Sequence, residues 1–388
     1  MKPETRDVVV VGGGVGGAAA ALRAAQYSLN MTWILGDRES ARASRGKYVH
    51  EIDNMIGVHP GVLASKLGKV LKDQPEALAT IEESDLVVGT QDIVDNVIER
   101  IEAEFSERSE LIADRAVSAR RDGDEYVVTL PDGREIRAES VVLSTGVMDR
   151  QPPVKKELKS GKQLDGIKWV FPYANWGRLL YCIRCEGHMT RDTLTTVIGS
   201  TETTAQIAMM LHERYGVDVT LLTNGEEFEA TERSRKLLEA YEIEVRGERI
   251  VDIYDIPPGE EPPATKGKKG TEMHGLVLEN GDRVPSRFAM VAMGLYRVYN
   301  ELAIELGAEL EDSEAPTEER HVLIEDYSAE TNVRGVFVVG DMGKRRDGGP
   351  LMKQVYTAQE YAVRAVDTIE RRIRSRRRKQ VLGEPLDA

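Results

Sequence analysis

Two cysteines three positions apart, Cys182 and Cys185, are the side chains of this sequence best suited to redox chemistry. The C-x-x-C spacing lets them close a small reversible disulfide ring. It also places one thiol near a helix N-terminus, which lowers its pKa and favours the thiolate. Arg184, which lies between them, favours the thiolate electrostatically. Because thiolate attack through a mixed disulfide is the route of thiol–disulfide exchange, the pair predicts a redox-active disulfide.

A structural zinc site and an inert buried pair are the alternatives for this motif. Zinc needs further Cys or His ligands at suitable spacing. The sequence has no third cysteine, and the nearby His188 and His212 are not spaced as a ligand pair. We therefore expect no metal. His188 is a candidate acid or base because its ordinary pKa lies near neutrality, and a solvent-facing or hydrogen-bonded histidine is the alternative.

A glycine-rich loop at residues 12–17 matches G-x-G-x-x-G between a run of valines and a helix-forming stretch. In this pattern Gly12 allows the tight turn, Gly14 lets the backbone approach a pyrophosphate, and Gly17 lets the helix pack on the strand. Asp37 lies twenty residues after Gly17 and could accept a hydrogen bond from a ribose. The loop predicts dinucleotide binding, and a ligand-free glycine turn is the alternative.

A second strand end lies far downstream, at Gly340-Asp341. An Asp at this position could bind a ribityl hydroxyl, or a water near a second phosphate, and an ordinary strand-to-turn Asp is the alternative. Four pieces of the chain together resemble the thioredoxin reductase family of flavoproteins. They are Ser144-Thr145-Gly146, residues 331–341 (TNVRGVFVVGD), residues 51–54 with Pro60-Gly61, and the C-x-x-C pair.

The resemblance implies FAD at the first glycine loop, a homodimer and a two-domain architecture. It assigns Gly146 to the cofactor site and Lys353-Gln354 to the flavin ring, at the start of the last helix. By the same resemblance Cys185 faces the flavin and Cys182 attacks the substrate disulfide. Glu186 takes the position where the family usually has an Asp as proton donor.

The family's inserted domain binds NADPH with its own glycine loop and a downstream arginine cluster, and this sequence departs from both. Only the first glycine remains in residues 199–205, and Thr201-Glu202 stands where the pyrophosphate must approach. Glu226, Glu227 and Glu229 replace the basic residues. Like unit charges about 4 Å apart repel by about 4 kcal/mol near a protein surface, so we expect no efficient use of NADPH.

The electrons must then come from elsewhere. The resemblance includes branches that take electrons from ferredoxin to reduce thioredoxin or a related disulfide, branches with a second FAD, and oxidases of small dithiols. Five aromatic residues at positions 169–181 could stack on a second flavin or form a docking face, with a core or dimer contact as the alternative. The preferred interpretation is an FAD-dependent disulfide oxidoreductase acting on a thioredoxin-like protein or small disulfide. A dithiol oxidase using oxygen and a flavin redox sensor without turnover are the alternatives.

The elements that must position these residues are α/β in pattern. The sequence predicts two Rossmann-like domains, the second inserted in the first. Residues 1–151 and 275–388 form the FAD-binding domain, and residues 152–274 form a degenerate NAD(P)-type domain that carries the C-x-x-C pair. We expect residues 257–270, rich in Pro, Lys, Glu and Gly, to be a disordered surface insertion.

Composition narrows the class of protein. The 388 residues carry a net charge of −14, which argues against a broad nucleic-acid surface. Seven cations at residues 371–379 form a solvated helix end or a docking site for an acidic electron-transfer protein such as a ferredoxin. The apolar stretch at residues 8–22 is shorter than the ~20 residues needed to span a bilayer, so we expect a cytoplasmic protein.

Overall fold

The computed structural model describes residues 5–42, 44–49, 51–52, 54–154, 156–157, 163–164, 173–174, 177–254, 273–349 and 351–385. The chain divides into two compact units. Unit 1 comprises Met1–Lys47, Val88–Met148 and Arg297–Ala388, and unit 2 comprises Tyr48–Val87 and Asp149–Tyr296.

The strands are β1 Val8–Val11, β2 Met31–Ile34, β3 Ser109–Ile112, β4 Ser118–Asp122, β5 Glu125–Thr129, β6 Glu135–Ala138, β7 Val141–Leu143, β8 Val147–Asp149, β9 Lys156–Glu157, β10 Gln163–Leu164, β11 Leu179–Leu180, β12 Leu194–Ile198, β13 Asp218–Leu222, β14 Glu244–Arg246, β15 Ile250–Tyr254, β16 Gly275–Leu278, β17 Arg283–Pro285, β18 Phe288–Val291, β19 Leu295–Val298, β20 Val322–Ile324, β21 Val336–Val338 and β22 Gly343–Arg345. The α-helices are α1 Val15–Gln26, α2 Arg38–Arg42, α3 Pro60–Val70, α4 Pro75–Leu78, α5 Thr90–Glu104, α6 Ile183–Glu186, α7 Glu202–Tyr215, α8 Glu232–Ala240, α9 Glu301–Glu305 and α10 Val355–Leu382.

Unit 1 is built on a five-stranded sheet in the order β21-β7-β1-β2-β3, and all its strand pairs are parallel. β1 consists of four buried valines, which is typical of a strand covered on both faces. β5 and β6 form an antiparallel pair. Because the carboxyl ends of parallel strands lie along one edge, the loops after β1, β2, β7 and β21 meet there.

Unit 2 repeats this plan. Its five-stranded sheet has the order β11-β18-β12-β13-β14, again with parallel pairs, and β15, β16 and β17 form an antiparallel sheet. Leu180, Val197, Leu221 and Met290 come from four neighbouring strands and share one buried cluster with Ala205 of α7. The α/β class with two parallel-sheet units is therefore as predicted.

The two compact units divide the chain at other positions than the predicted boundary between residues 274 and 275. β16, β17 and β18 belong to unit 2, because β18 lies between β11 and β12 and is hydrogen-bonded to both. The boundary falls between Tyr296 and Arg297, and Tyr48–Val87 is also grouped with unit 2 rather than with the first domain. The predicted insertion at residues 257–270 lies outside the described residues. Within the described ranges, no helix combines the length and the apolar character that crossing a bilayer requires.

Candidate functional site

The first glycine loop of unit 1 has the geometry of a dinucleotide cradle. A Cβ on Gly12 would lie 2.1 Å from the carbonyl oxygen of Ser144, and a Cβ on Gly17 would lie 2.0 Å from that of Gly12, so neither position accepts a side chain. A Cβ on Gly14 would meet nothing within 4 Å. Gly14 is the N-cap of α1 and provides no side-chain cap, so the first-turn N–H groups and the positive end of the helix dipole face this space.

The loops after β7 and β21 close on the same cradle. A Cβ on Gly16 would lie 2.8 Å from Ser144 Oγ and 3.7 Å from the amide nitrogen of Gly340, so both loops touch the first turn of α1. Gly340 has φ +79° and is followed by Asp341. Arg45 Nη1 donates to Asp341 Oδ2 at 2.7 Å. The arrangement of tight glycines, open space and backbone donors fits the diphosphate of a dinucleotide.

Two further predicted cofactor residues are held by local bonds at this edge. Asp37 follows β2, and its Oδ1 accepts from the amide and hydroxyl of Ser40, both at 2.7 Å, while Arg115 Nε lies 3.8 Å from Oδ2. The Ser40 bonds lower the pKa of Asp37, so the carboxylate is charged at neutral pH. Gly146 has φ +77°, and its carbonyl oxygen accepts from the amide of Tyr299 at 3.1 Å.

The predicted flavin-ring residues begin the longest helix of unit 1. Gln354 is the buried N-cap of α10. Lys353 Nζ lies 2.6 Å from His321 Nε2, and His321 Nδ1 lies 2.6 Å from Glu311 Oε1. Burial would raise the pKa of Glu311, but hydrogen bonds from Lys344 and His321 outweigh it and bring the pKa to about 2. Burial and the Lys353 ammonium lower the pKa of His321.

A neutral His321 must therefore donate from Nδ1 to Glu311 and accept at Nε2 from Lys353. This chain of three side chains fixes the Lys353 ammonium. Sequence reasoning singled out Lys353 but missed His321 and Glu311, because nothing in the local pattern marks either of them.

The cysteine pair lies in unit 2, where Cys182 and Cys185 form a disulfide. Cys182 is the N-cap of the one-turn helix α6, and its Sγ accepts from the amide of Cys185 at 3.2 Å. The predicted position of one sulfur at a helix N-terminus is thus observed. Both cysteines are partly exposed, and Arg184 between them is exposed. Among the described residues, no group of three or more His, Cys, Asp or Glu side chains could hold a metal ion.

Glu186 and His188, the two predicted proton carriers, differ in their surroundings. Glu186 Oε2 accepts from the amides of Tyr181 at 2.9 Å and Cys182 at 3.1 Å, so its carboxylate is folded back onto the cysteine turn. His188 lies in a short 3-10 helix, Gly187–Thr190, with its side chain exposed. The geometry therefore brings Glu186, more than His188, to the backbone that carries Cys182.

Tyr181 was not predicted to act at this site beyond its place in the aromatic group. Its hydroxyl donates to Oε1 of buried Gln151 at 2.6 Å. Burial raises the pKa of Tyr181 far above its usual range, so the phenol stays neutral. The hydrogen bond fixes the chain immediately before Cys182. Trp169, Phe171 and Trp176, the centre of the predicted aromatic group, lie outside the described residues.

The second glycine loop, after β12, differs from the first at the N-cap of the helix that follows it. Thr201 is the N-cap of α7, where α1 has Gly14. The Thr201 side chain is exposed, and the next residue is Glu202. Gly199 has φ +150°, and a Cβ there would lie 2.5 Å from the carbonyl oxygen of Ala292. The first glycine is thus required by the packing of the fold alone.

Glu202 at the start of α7 is bonded within the protein. Its Oε1 accepts from Ser234 Oγ at 2.6 Å and Gln206 Nε2 at 2.8 Å, and its Oε2 accepts from the amide of Thr231 at 2.8 Å. The Ser234 bond is the largest of the effects that lower the pKa of Glu202 to about 2. The Glu202 carboxylate is therefore charged at neutral pH, lies at the N-terminus of α7 and connects it to the start of α8.

The loop after β13 lies against this region. The amide of Glu229 donates to the carbonyl oxygen of Ser200 at 2.6 Å, and Glu229 forms an isolated parallel bridge with Thr201. Glu226, Glu227 and Glu229 are all exposed. The loop after β13 is therefore acidic and is hydrogen-bonded to the second glycine loop within unit 2.

The basic run at residues 371–379 lies in α10 and is largely neutralised within unit 1. Arg372 pairs with Glu330, Arg376 with Glu139, Arg374 with Glu370 and Arg377 with Asp7. Each pair is partly exposed, so the individual contributions to stability are small. The pairs with Glu330, Glu139 and Asp7 anchor the helix end to the rest of unit 1.

Known proteins share this fold. A thioredoxin reductase of Streptomyces clavuligerus is 24% identical over 222 residues, which are 56% of this chain and 54% of the relative, so the match spans about half the length of that relative. A thioredoxin reductase of Peptoclostridium litorale is 21% identical over 364 residues, 91% of this chain and 92% of the relative.

The crystal structure of a thioredoxin reductase from Streptococcus pyogenes MGAS5005 superposes with a TM-score of 0.66 and 17% identity, covering 96% of this chain and 99% of that one. The family model of pyridine nucleotide-disulphide oxidoreductases matches residues 6–362. From this match and from the shared architecture, the chain belongs to the pyridine nucleotide-disulphide oxidoreductase family and has a thioredoxin reductase-like fold.

Proposed function

We propose that the protein is an FAD-dependent thiol–disulfide oxidoreductase that works without a pyridine nucleotide. A ferredoxin-like donor or a second FAD supplies electrons, which pass through FAD to Cys182 and Cys185 and on to a thioredoxin-like protein or a small disulfide. The family implies the FAD. The proposed form is a cytoplasmic homodimer.

The observation that carries the proposal is the contrast between the two glycine loops. The cradle at Gly14 is open, whereas at the matching turn of unit 2 Glu202 places a bonded carboxylate beside the helix N-terminus that a diphosphate would have to approach. The two negative groups repel, and the carboxylate already uses the amide of Thr231 and the hydroxyl of Ser234. The exposed Glu226, Glu227 and Glu229 add the same sign of charge where a 2′-phosphate would need cations.

The chemistry that this chain performs starts from the reduced pair. The Cys182 thiolate attacks one sulfur of the substrate disulfide, which forms a mixed disulfide and releases the first substrate thiolate. The Cys185 thiolate then attacks the Cys182 sulfur, releases the second thiolate and restores the Cys182–Cys185 bond. Glu186, bonded to the amides of Tyr181 and Cys182, is the proposed acid that protonates the leaving thiolates. His188 is the second candidate for this proton.

FAD held at the first glycine loop would supply the two electrons that reduce the pair again. In this proposal Gly12, Gly14 and Gly17 form the diphosphate cradle, and Asp37 bonds the adenosine ribose. The remaining proposed contacts are Gly146, Gly340 and Asp341, together with Lys353 and Gln354 for the flavin ring.

The test is anaerobic flavin reduction by NADPH, NADH and reduced ferredoxin in parallel, with the flavin counted per chain. We expect ferredoxin to bleach the flavin rapidly and both pyridine nucleotides to bleach it only slowly. Rapid bleaching by NADPH with one flavin per chain would overturn the proposal. A matched variant, Cys185→Ser, should keep its flavin spectrum and lose disulfide turnover.

The same experiment separates the alternatives. Rapid peroxide production from small dithiols in air, without reduction by ferredoxin, identifies an oxidase. A flavin that is reduced but supports no turnover of any disulfide identifies a sensor. Two flavins per chain would identify the internal donor.

A further inference from the structure

Asp341, a proposed FAD contact, forms an ion pair whose other member, Arg45, has been given no role so far. Arg45 Nη1 donates to Asp341 Oδ2 at 2.7 Å across 296 positions of sequence, and both side chains are 23% exposed. Arg45 begins a short 3-10 helix, Arg45–Tyr48, that follows the loop after β2. The pair therefore joins the loops after β2 and β21, which leave the sheet at the same edge.

The position of Asp341 raises an electrostatic problem for cofactor binding. The amide nitrogen of Gly340, the preceding residue, would be 3.7 Å from a Cβ on Gly16 in the first turn of α1. Asp341 therefore adds a negative charge to a loop that touches the diphosphate cradle, and like charges repel. A cation beside Asp341 would offset this repulsion and leave the carboxylate able to contact the cofactor, and Arg45 is such a cation.

The backbone around Arg45 is held by hydrogen bonds. The hydroxyl of Thr90, the first residue of α5, donates to the carbonyl oxygen of Gly46 and is buried. The amide of Lys47 donates to the carbonyl oxygen of Ser44 at 3.1 Å. These bonds fix the backbone on both sides of the Arg45 side chain. A guanidinium presents five N–H donors in a planar fork, so one arginine can bond two anions at once.

We propose that Arg45 is a cofactor-binding residue that is shared between the Asp341 carboxylate and the diphosphate of the bound dinucleotide. This role rests on the proposed function, because it assumes FAD in the cradle of unit 1. No electron or proton is transferred in it. Arg45 contributes affinity and holds Asp341 in the orientation that the cofactor meets.

The test is a double-mutant cycle on FAD affinity, with R45Q, D341N and the double variant. Apoprotein is titrated with FAD, and the dissociation constant is read from flavin fluorescence. R23Q is the matched control, since Arg23 pairs with Asp367 at 2.9 Å and similar exposure, but in the last turn of α1, away from the cradle. R45K keeps the charge without the fork. Thermal unfolding of each apoprotein reports on folding separately.

We expect R45Q to raise the dissociation constant about 10- to 100-fold, because it removes a hydrogen bond to a charged group and leaves Asp341 uncompensated. In the D341N background the same change should still weaken binding about fivefold, through the lost phosphate contact. The FAD dissociation constant of R45K should lie between those of the wild type and R45Q, and that of R23Q should equal the wild-type value.

An R45Q effect that disappears in the D341N background would overturn the role, because Arg45 would then act on Asp341 alone. Equal affinities of R45Q and R23Q, with tight binding by the wild type, would also overturn it and leave the proposed function intact. A wild-type apoprotein that binds no FAD would overturn both.

Discussion

Gly14→Ala separates binding of the cofactor from stability of the fold. Gly14 has φ −86°, which alanine adopts freely, and an added Cβ meets nothing within 4 Å. The loss in helix capping is less than about 1 kcal/mol, so the apoprotein should unfold close to the wild-type temperature. The methyl group instead projects into the space where the diphosphate must approach the amides of α1.

The size of the binding defect follows from this overlap. A methyl group forced into a filled contact costs about 1–3 kcal/mol, which is roughly 5- to 150-fold in the FAD dissociation constant. Titration of the apoprotein with FAD, followed by flavin fluorescence, measures it.

Gly17→Ala is the matched control. Its Cβ would lie 2.0 Å from the carbonyl oxygen of Gly12, so α1 must move away from β1. The apoprotein of this variant should unfold several degrees lower, since overpacking destabilises the fold itself. FAD affinity of Gly14→Ala equal to that of the wild type would refute the cradle. An equal loss of apoprotein stability in both variants would refute the distinction between open and packed glycines.

Three further predictions concern other sites. Glu186→Gln should slow disulfide exchange at least about tenfold, more than His188→Gln does, and stopped-flow reduction of a model disulfide across pH measures both; a larger loss in His188→Gln would reverse the assignment. Cys185→Ser should abolish steady disulfide turnover and leave FAD affinity unchanged, measured on the same preparation; normal turnover would remove the mechanism. Glu311→Gln should lower stability at pH 7 by up to about 3 kcal/mol, because the pKa of Glu311 is held at about 2 in the folded state. The pKa is depressed by folding, so this contribution is present above about pH 5 and is lost as the pH falls toward 2; a difference in unfolding temperature that stays constant over that range would contradict it.

The parts of the site that could be predicted are those whose geometry is determined by residues close together in the sequence. The cradle of residues 12–17 is a continuous strand–loop–helix, so its glycine spacing carries the geometry. The same holds for Cys182 and Cys185, where three positions of spacing suffice for the disulfide and the helix N-cap.

Long-range pairs could not be predicted in this way. Arg45 and Asp341 are 296 positions apart. His321, which directly precedes β20, contacts Lys353 from 32 positions away. No local sequence pattern links the members of either pair. The division of the chain into compact units also depends on long-range contacts. An apolar run such as β18 predicts a strand, but tertiary packing determines that it pairs with β11 and β12.

Glu202 accepts three hydrogen bonds from within unit 2, and two of them connect α7 to α8. Its carboxylate accepts from the amide of Thr231 and the hydroxyl of Ser234 at the start of α8, so the two helices are joined by protein hydrogen bonds. Protein engineers who wish to install nicotinamide specificity here must do more than delete one acid. The redesign has to supply new acceptors for those freed donors, or the gain in affinity will be offset by a loosened helix pair.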